Sequence, residues 1–140
     1  MEAGKKYKLR LVNAAVDNSF VLSLDNHTFL VVADDFVPVK PFYSTNLFLT
    51  IGQRYDVIVA ADQPVDSYWF RAEVQDLGGA PQGCGQNANN WNIKSIFRYK
   101  GAEMAVPMSS GGGYPQRCAD EPTTPYWDSF VPSGKQCCVK

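Results

Sequence analysis

The sequence predicts an all-β protein, an antiparallel sandwich or barrel of about eight short strands. Apolar and polar residues alternate with a period of two over several short stretches, as expected for strands with one buried face. Clusters of Gly, Pro, Asn and Asp separate these stretches at nearly regular intervals. No window of about 11 residues shows the 3.6-residue repeat of an amphipathic helix. These patterns favour strands throughout the regular part of the chain.

The first strands are the most clearly patterned. Residues 6–11 alternate charged and apolar side chains, which directs the apolar ones to a buried face. Residues 13–18 break the alternation and predict a loop, after which residues 20–24 resume it. Asp25-Asn26 then supplies residues that tolerate a positive φ in a tight turn. We therefore predict a hairpin in which residues 28–33 pair with residues 20–24.

Asp34-Asp35 predicts a further bend, and five more strands follow it: residues 36–39, 44–51, 55–60, 68–72 and 94–99. Pro38 has no N–H to donate, so its strand is expected at a sheet edge or a bulge. Gly52 ends the second of these strands. Residues 55–60 are apolar almost throughout, which is typical of a strand in the middle of a sandwich.

The chain of 140 residues is long enough for one domain with its own core but not for two. We place this domain at residues 1–102. Residues 103–140 shift to Pro, Gly and Ser, lose all periodicity, and predict a linker or a surface wrap.

The charge pattern excludes several classes of partner. The net charge is −1 and no basic run exceeds Lys5-Lys6, so we expect no nucleic-acid binding. No apolar run approaches the roughly 18 residues that span a bilayer, so we expect no membrane insertion. The first ten residues contain no apolar core of a signal peptide, so no export signal is expected in them.

The four cysteines, Cys84, Cys118, Cys137 and Cys138, lie in the second half, and the only histidine is His27. No pair has the Cys-x-x-Cys spacing, so no zinc site of the usual kind is expected. Cys84 and Cys118 lie in Gly- and Pro-rich loop sequence, where a cross-link would tether an irregular segment, and this favours an oxidising compartment. Free thiols are the alternative, and Cys137-Cys138 matches no pattern.

Several single residues are candidates for a function. Asn26-His27-Thr28 is an N-glycosylation sequon at the predicted turn, and Asn26 would carry a glycan in a secreted protein. Chance occurrence of the sequon is the alternative. His27 is expected to be a solvated or hydrogen-bonded turn residue, not a ligand. Arg54 and Asp56 are expected to pair or cap within the sheet. The aromatic run 68–70 is expected in the core and at contacts between domains.

Seven motifs, in order along the chain, resemble the middle cupredoxin domain of fungal laccases of the ascomycete type. They are Leu9-Arg10-Leu11-Val12-Asn13, Val16-Asp17-Asn18, Leu24-Asp25-Asn26-His27-Thr28, Ala33-Asp34-Asp35-Phe36-Val37-Pro38, Gly52-Gln53-Arg54-Tyr55-Asp56-Val57, Tyr68-Trp69-Phe70-Arg71-Ala72 and Ile96-Phe97-Arg98-Tyr99. The resemblance is dense over about residues 4–102 and continues weakly through Cys118-Ala119-Asp120-Glu121 into the linker.

The resemblance implies a plastocyanin-like (cupredoxin) Greek-key domain of a secreted, three-domain multicopper oxidase. Such an enzyme takes single electrons from phenols and reduces dioxygen to water. Its copper ligands belong to the first and third domains, which would be the partners of this chain. A blue copper site alone needs two His and one Cys, so with one histidine we expect no copper and no oxidase activity from this chain alone. The resemblance also implies a disulfide between Cys84 and Cys118.

The resemblance further implies that the loop at Val16-Asp17-Asn18 forms one wall of the phenol pocket, with Asp17 as the acidic residue. A phenol with a pKa of about 10 is a poor electron donor until its proton is accepted, and a carboxylate with a pKa of about 4 is ionised at mildly acidic pH. A simple turn role for Asp17 is the alternative.

Two expectations concern the chain as a unit. A domain normally covered by two neighbours would expose an apolar face and self-associate when isolated. The alternative function is a stand-alone secreted β-sandwich that binds proteins or carbohydrate without catalysis, because fold alone does not determine function.

Overall fold

The computed structural model describes residues 1–16, 18–74 and 93–111, and within these ranges the chain forms eight strands and no helix. The strands are β1 (Lys6–Val12), β2 (Phe20–Leu24), β3 (Phe29–Asp34), β4 (Val37–Ser44), β5 (Asn46–Leu49), β6 (Arg54–Ala60), β7 (Ser67–Val74) and β8 (Lys94–Arg98). This confirms the predicted all-β class. Nothing in the described ranges forms a helix of the length and apolarity that would cross a membrane.

The eight strands form two four-stranded antiparallel sheets. The first sheet has the order β1-β6-β3-β4, and the second has the order β5-β2-β7-β8. The chain crosses from one sheet to the other at every connection except β3 to β4 and β7 to β8. This alternation produces the predicted Greek-key sandwich, with β6 in the middle of the first sheet as its apolar sequence indicated.

The predicted hairpin between residues 20–24 and 28–33 is wrong in its pairing. β2 lies between β5 and β7, whereas β3 lies between β4 and β6 in the other sheet. The backbone N–H of Asp25 donates to Trp69 O at 2.9 Å and so extends the pairing of β2 with β7 beyond the strand end. The predicted positive φ is present at Asn26, at 61°. The turn therefore carries the chain across the sandwich instead of folding it back in one sheet.

The edge of the first sheet differs from the prediction in its strand limits. The strand expected over residues 36–39 is β4, which continues to Ser44. The strand expected over residues 44–51 is β5, which covers only Asn46–Leu49. Pro38 lies on this edge strand beside a register shift between Val31 and Ala33, as its missing N–H predicted. The predicted bend is a two-residue turn in which Asp35 and Phe36 both have a positive φ, at 45° and 69°.

The core lies between the inner faces of the two sheets. In β1, Tyr7, Leu9 and Leu11 face inward as predicted, because the strand alternates exposed and half-buried positions. The rings of Phe29 and Phe70 meet across the core with centroids 6.4 Å apart. Burial of each such large apolar side chain stabilises the fold by about 1.5–3 kcal/mol.

Charged residues of β6 pair within or beside the sheet, as predicted. The Asp56 carboxylate accepts hydrogen bonds from Arg10 Nε at 2.7 Å and Arg10 Nη2 at 2.9 Å, and Lys8 Nζ lies 2.8 Å from it. Arg54 pairs instead with Asp35, at 3.3 Å. The hydrogen bonds from Arg10 and Lys8 hold the pKa of Asp56 far below its usual value, against the effect of burial.

Residues 102–111, which we call the strap, lie against the outer face of the second sheet. Trp69 Nε1 donates to Pro107 O at 3.1 Å, and Arg98 Nη2 donates to Ala105 O at 3.2 Å. No strand forms between residues 102 and 111. The described beginning of the predicted irregular segment thus follows the domain surface.

Candidate functional site

An apolar cleft of about 410 Å³ opens at one end of the sandwich, at the end of β1 and the start of β2. Its described lining consists of Arg10, Leu11, Val12, Asn13, Ala14, Ala15, Phe20, Leu22, Leu49, Phe70, Ala72 and Ile93. The volume falls in the range of small-ligand pockets. Because Phe20 and Phe70 contribute aromatic surface, the cleft is suited to a flat apolar or aromatic group.

Titratable groups are scarce in this lining. The one charged member among the described residues is Arg10, and its guanidinium is bound to the carboxylate of Asp56. The described walls therefore contribute shape and apolar contact, but no nucleophile and no proton acceptor.

The rim loop follows β1 and comprises residues 14–18. Ala14 is exposed and Val16 is 93% exposed, so the loop buries little side-chain surface. Asp17, the predicted proton acceptor, lies outside the described residues. Its neighbours Val16 and Asn18 are described, and Ala14 and Ala15 line the cleft. The two residues directly before the Val16-Asp17-Asn18 motif thus line the cleft.

Asn13 connects this loop to the body of the domain and is only 5% exposed. Its Nδ2 donates to Asn18 O at 2.8 Å and to Leu49 O at 3.2 Å, while its Oδ1 accepts from Ala15 N at 2.9 Å. Sequence reasoning did not single out Asn13. An Asn directly after a strand and before a non-alternating stretch is a signal for a loop-organising side chain.

His27 is buried, which makes one of the two predicted alternatives, a solvated turn residue, wrong. Its Nδ1 lies 2.7 Å from Asp25 O, so Nδ1 carries the proton and donates. Its Nε2 lies 2.8 Å from the Tyr99 hydroxyl oxygen, within hydrogen-bond distance. Both ring nitrogens are therefore engaged within the domain.

The described residues do not fit a copper ion. Nε2 of His27, the ring nitrogen left after Nδ1 pairs with Asp25 O, is hydrogen-bonded to the Tyr99 hydroxyl. No group of three or more His, Cys, Asp or Glu residues in the described ranges is arranged to hold a metal ion. No step of any reaction is therefore assigned to a metal held by these residues.

A buried ionic cluster joins the turn after β2 to β7 and to the strap. Arg71 donates from Nε and Nη2 to the two carboxylate oxygens of Asp25, each at 2.8 Å, and Ser109 Oγ donates to Asp25 at 2.7 Å. Burial is the largest single influence and raises the pKa of Asp25. The hydrogen bonds from Arg71 and Ser109 and the charges of Arg71 and Lys94 outweigh it, so that the pKa lies below its usual value.

The aromatic run 68–70 divides between the two faces of β7. Tyr68 and Phe70 belong to the core or pack against it, as predicted. Trp69 faces outward instead: its ring lies 4.2 Å from the Lys94 ammonium, and its Nε1 contacts the strap. The reason is the strand period of two, which places the middle residue of the run on the opposite face.

Of the remaining predicted sites, Asn26 is exposed at the tip of its turn. Cys84, Cys118, Cys137 and Cys138 lie outside the described residues, so their predicted pairing stays a prediction.

Comparison with known proteins gives consistent matches. Residues 1–102 match the multicopper oxidase family. Laccase-3 of Botryotinia fuckeliana is 59% identical over 133 residues, which are 94% of this chain and 28% of that protein. The laccase of Neurospora crassa is 45% identical over 108 residues, 77% of this chain and 17% of that protein. The crystal structure of the laccase from Botrytis aclada superposes with a TM-score of 0.78 at 39% identity, covering 87% of this chain and 22% of that one. The chain thus spans less than a third of the length of each of these proteins.

Proposed function

The chain belongs to the multicopper oxidase family, and from this premise we propose that it forms the middle cupredoxin domain of a fungal laccase and binds no copper itself. The family depends on copper, but this chain contains one histidine, and both nitrogens of that ring are engaged in hydrogen bonds. The first and third cupredoxin domains of the same enzyme are its partners and hold the coppers. The whole enzyme couples one-electron oxidation of phenols to reduction of dioxygen to water.

The contribution of this domain is one wall of the phenol pocket. The observation that supports it is the apolar cleft of about 410 Å³, whose rim is the loop that carries the Val16-Asp17-Asn18 motif. A phenol ring is flat and apolar, so it can pack against Phe20 and Phe70 in the cleft lining. Its hydroxyl needs a polar partner at the rim. Asp17 is that group.

The role of Asp17 is to accept the phenolic proton while the electron leaves the ring. Loss of an electron from a neutral phenol produces a strongly acidic radical cation, so concerted removal of the proton lowers the barrier. A carboxylate with a pKa of about 4 is ionised at mildly acidic pH and is suited to this task. The proton moves from the phenolic oxygen to a carboxylate oxygen of Asp17, and the product is a neutral phenoxyl radical.

Two further properties belong to this proposal. A disulfide between Cys84 and Cys118 closes a loop of 34 residues, counted as 118 minus 84, and in the chain-entropy model such a loop contributes on the order of 3–4 kcal/mol. The enzyme is secreted, since a disulfide of this kind persists in an oxidising compartment. Peptide mapping without reduction tests the pairing, and Cys84 found joined to Cys137 or Cys138 would contradict it.

The test of the function is Asp17→Asn in the oxidase that contains this chain, assayed with 2,6-dimethoxyphenol and with ferrocyanide, a one-electron donor without a proton to lose. We expect kcat/KM for the phenol to fall by roughly 10- to 1000-fold, as for loss of a general base, with little change for ferrocyanide. The phenol optimum should move to higher pH, where solvent takes over deprotonation.

The matched control is Asp62→Asn, which neutralises an exposed carboxylate in the turn after β6, at the opposite end of that strand from the cleft. This variant should leave kcat/KM unchanged for both electron donors. Equal losses on both donors in Asp17→Asn, or no loss on either, would show that Asp17 does not accept the proton.

A further inference from the structure

We propose that Asn13 is a positioning residue for phenol oxidation: its side chain holds Ala15 and Asn18, on either side of the Asp17 position, beside the apolar cleft. This inference rests on the proposed function of the rim loop.

The side chain of Asn13 reaches both ends of the loop and the neighbouring strand. Its amide oxygen accepts from Ala15 N at 2.9 Å near the start of the loop, and its amide nitrogen donates to Asn18 O at 2.8 Å at the end. The second amide hydrogen goes to Leu49 O at 3.2 Å, at the end of β5. One side chain thus closes the loop on itself and attaches it to the second sheet.

The position of Asn13 itself is determined by backbone pairing. Its N–H donates to Gln53 O at 3.1 Å, and its C=O accepts from Gly52 N at 3.0 Å. These bonds continue the pairing of β1 with β6 one residue beyond the last strand pair, Val12 with Arg54. The amide is therefore presented from a rigid strand end and not from the loop.

Packing contributes little at the start of the loop, whereas Asn18 at its end is half-buried. Ala14 and Val16 are exposed and Ala15 is half-buried. The three groups that Asn13 binds are backbone groups of Ala15, Asn18 and Leu49, and the Asn13 amide is buried, so water does not readily substitute for it. Among the described contacts, the Asn13 amide is the side chain that links Ala15, Asn18 and Leu49 to one another.

A misplaced rim should affect catalysis more than folding. A displacement of about 1 Å at a reacting group can cost roughly 100-fold in rate. The described loop residues Ala14, Ala15 and Val16 are not members of the hydrophobic core, although Leu22 and Leu49 of the core line the cleft below them. Asn13 also lines the cleft, so the double variant with Asp17→Asn is what shows whether its effect passes through Asp17.

The experiment uses the oxidase that contains this chain, with the variants Asn13→Ala, Asp17→Asn and the double variant, each assayed with 2,6-dimethoxyphenol and ferrocyanide across pH. We expect Asn13→Ala to lower kcat/KM for the phenol roughly 10- to 100-fold, to move the phenol optimum toward higher pH, and to leave ferrocyanide within about twofold. In the double variant, Asn13→Ala should add less than about threefold to the loss caused by Asp17→Asn.

Asn13→Asp serves as a second variant in case Asn13→Ala does not fold. It has nearly the same shape and keeps the acceptor for Ala15 N, but it replaces both donors with an oxygen that faces Asn18 O and Leu49 O. It should show the same selective loss. The matched control is Ser67→Ala, which removes a buried hydroxyl that accepts from Arg98 Nε at 3.0 Å, at the other end of β7 from the cleft. Ser67→Ala should leave kcat/KM unchanged for both electron donors.

The outcomes separate this inference from the function on which it rests. If Asp17→Asn is selective for the phenol but neither Asn13 variant is, the positioning role is overturned and the pocket role stands. If the losses of Asn13→Ala and Asp17→Asn multiply in the double variant, Asn13 does not act through Asp17. If Asp17→Asn spares the phenol, the proton-acceptor role fails and the positioning role fails with it.

Discussion

The carboxylate of Asp25 joins three separate parts of the chain, although its sequence position suggested only a turn. Its side chain is 1% exposed, and that of its partner Arg71 is 19% exposed. Ser109 completes the cluster from the strap. A buried carboxylate of this kind is stable only while its partner remains, because either charge left alone in the interior is costly.

We expect Asp25→Asn to lower the free energy of unfolding by roughly 3 kcal/mol, since it removes the carboxylate that binds the largely buried Arg71 guanidinium through two hydrogen bonds. Urea unfolding of the purified chain measures this. The control is Asp35→Asn. Asp35 also pairs with an arginine, Arg54, but the Asp35 side chain is far more exposed than that of Asp25. That change should cost less than about 1 kcal/mol. Equal costs for both variants would contradict the importance of burial at Asp25.

Two buried carboxylates, Asp25 in this cluster and Asp56 in β6, make the stability of the fold depend on pH. The pKa values of Asp25 and Asp56 are lowered in the folded chain, by hydrogen bonds and charge from Arg71 and from Arg10 respectively, in each case against burial. A carboxylate with a lowered pKa stabilises the fold at pH values above its unfolded-state pKa of about 3.9. This stabilisation is lost as the pH falls toward the folded-state pKa. Wild-type stability should therefore decline below about pH 4, and the decline should be shallower in Asp25→Asn.

Asn26 is the residue at which we expect a glycan. It is exposed, has a φ of 61°, and precedes Thr28, which is also exposed, while His27 between them is buried. Chain expressed in a secreting fungal host should show a mass increase that an endoglycosidase removes. Thr28→Ala should abolish the increase, whereas Thr45→Ala, an exposed threonine beside the same turn, should not. An unmodified wild-type chain from such a host would contradict the site.

At the scale of elements, the position of the strap depends on the close approach of Gly111 to the Arg71 side chain. A Cβ added to Gly111 would lie 2.6 Å from Arg71 Nε and 3.0 Å from Arg71 Cδ, which is too close for any side chain. Arg71 cannot easily move away, because its guanidinium is bound to Asp25 through two hydrogen bonds. Gly111 therefore allows the strap to contact the ionic cluster.

We expect Gly111→Ala to displace the end of the strap and break the hydrogen bonds of Ser109 with Asp25 and Arg71. The cost should be about 1–2 kcal/mol of unfolding free energy, the amount expected for one or two hydrogen bonds. Ser110→Ala, at the exposed neighbouring position, is the control and should be neutral. Limited proteolysis provides a second measurement, since cleavage within residues 102–111 should become faster only in Gly111→Ala.

The strands themselves were largely predictable from the sequence, but their partners were not. The alternation in β1 determined which side chains face inward, because the strand period of two is a local property. The same alternation in β2 and β3 could not reveal that they belong to different sheets. Asp25-Asn26 is compatible with a hairpin and with a crossing turn, and only the competition of β5 and β7 for β2 decided between them.

At the scale of the whole molecule, the cleft end of the sandwich is rimmed by exposed apolar side chains. Val12, Val16 and Ile51 are all exposed near this end. Exposed apolar side chains grouped around an apolar cleft are suited to contact with another protein surface. In the proposed laccase, a neighbouring domain or the bound phenol covers this end of the sandwich.

The isolated chain should therefore self-associate through this end. Sedimentation velocity at rising concentration should show dimers or larger species. Replacing Val16 and Ile51 together by Ser should shift the distribution toward monomer. Val65→Ser, at an exposed apolar position in the turn after β6, should not. A wild-type chain that stays monomeric at high concentration would favour a stand-alone module.

By itself the sequence determined the class of fold, the positions of its strands and turns, and the family, since strand periodicity, turn residues and ordered motifs are local patterns. Only the tertiary structure decided the pairing across the two sheets, the burial of Asp25 and His27, and the hydrogen bond from Asn13 to Leu49. The physical reason is distance along the chain. Asn13 meets Leu49 across 36 residues, His27 meets Tyr99 across 72, and Asp25 meets Ser109 across 84. Whether a polar side chain is solvated or buried and paired depends on partners that no local pattern contains.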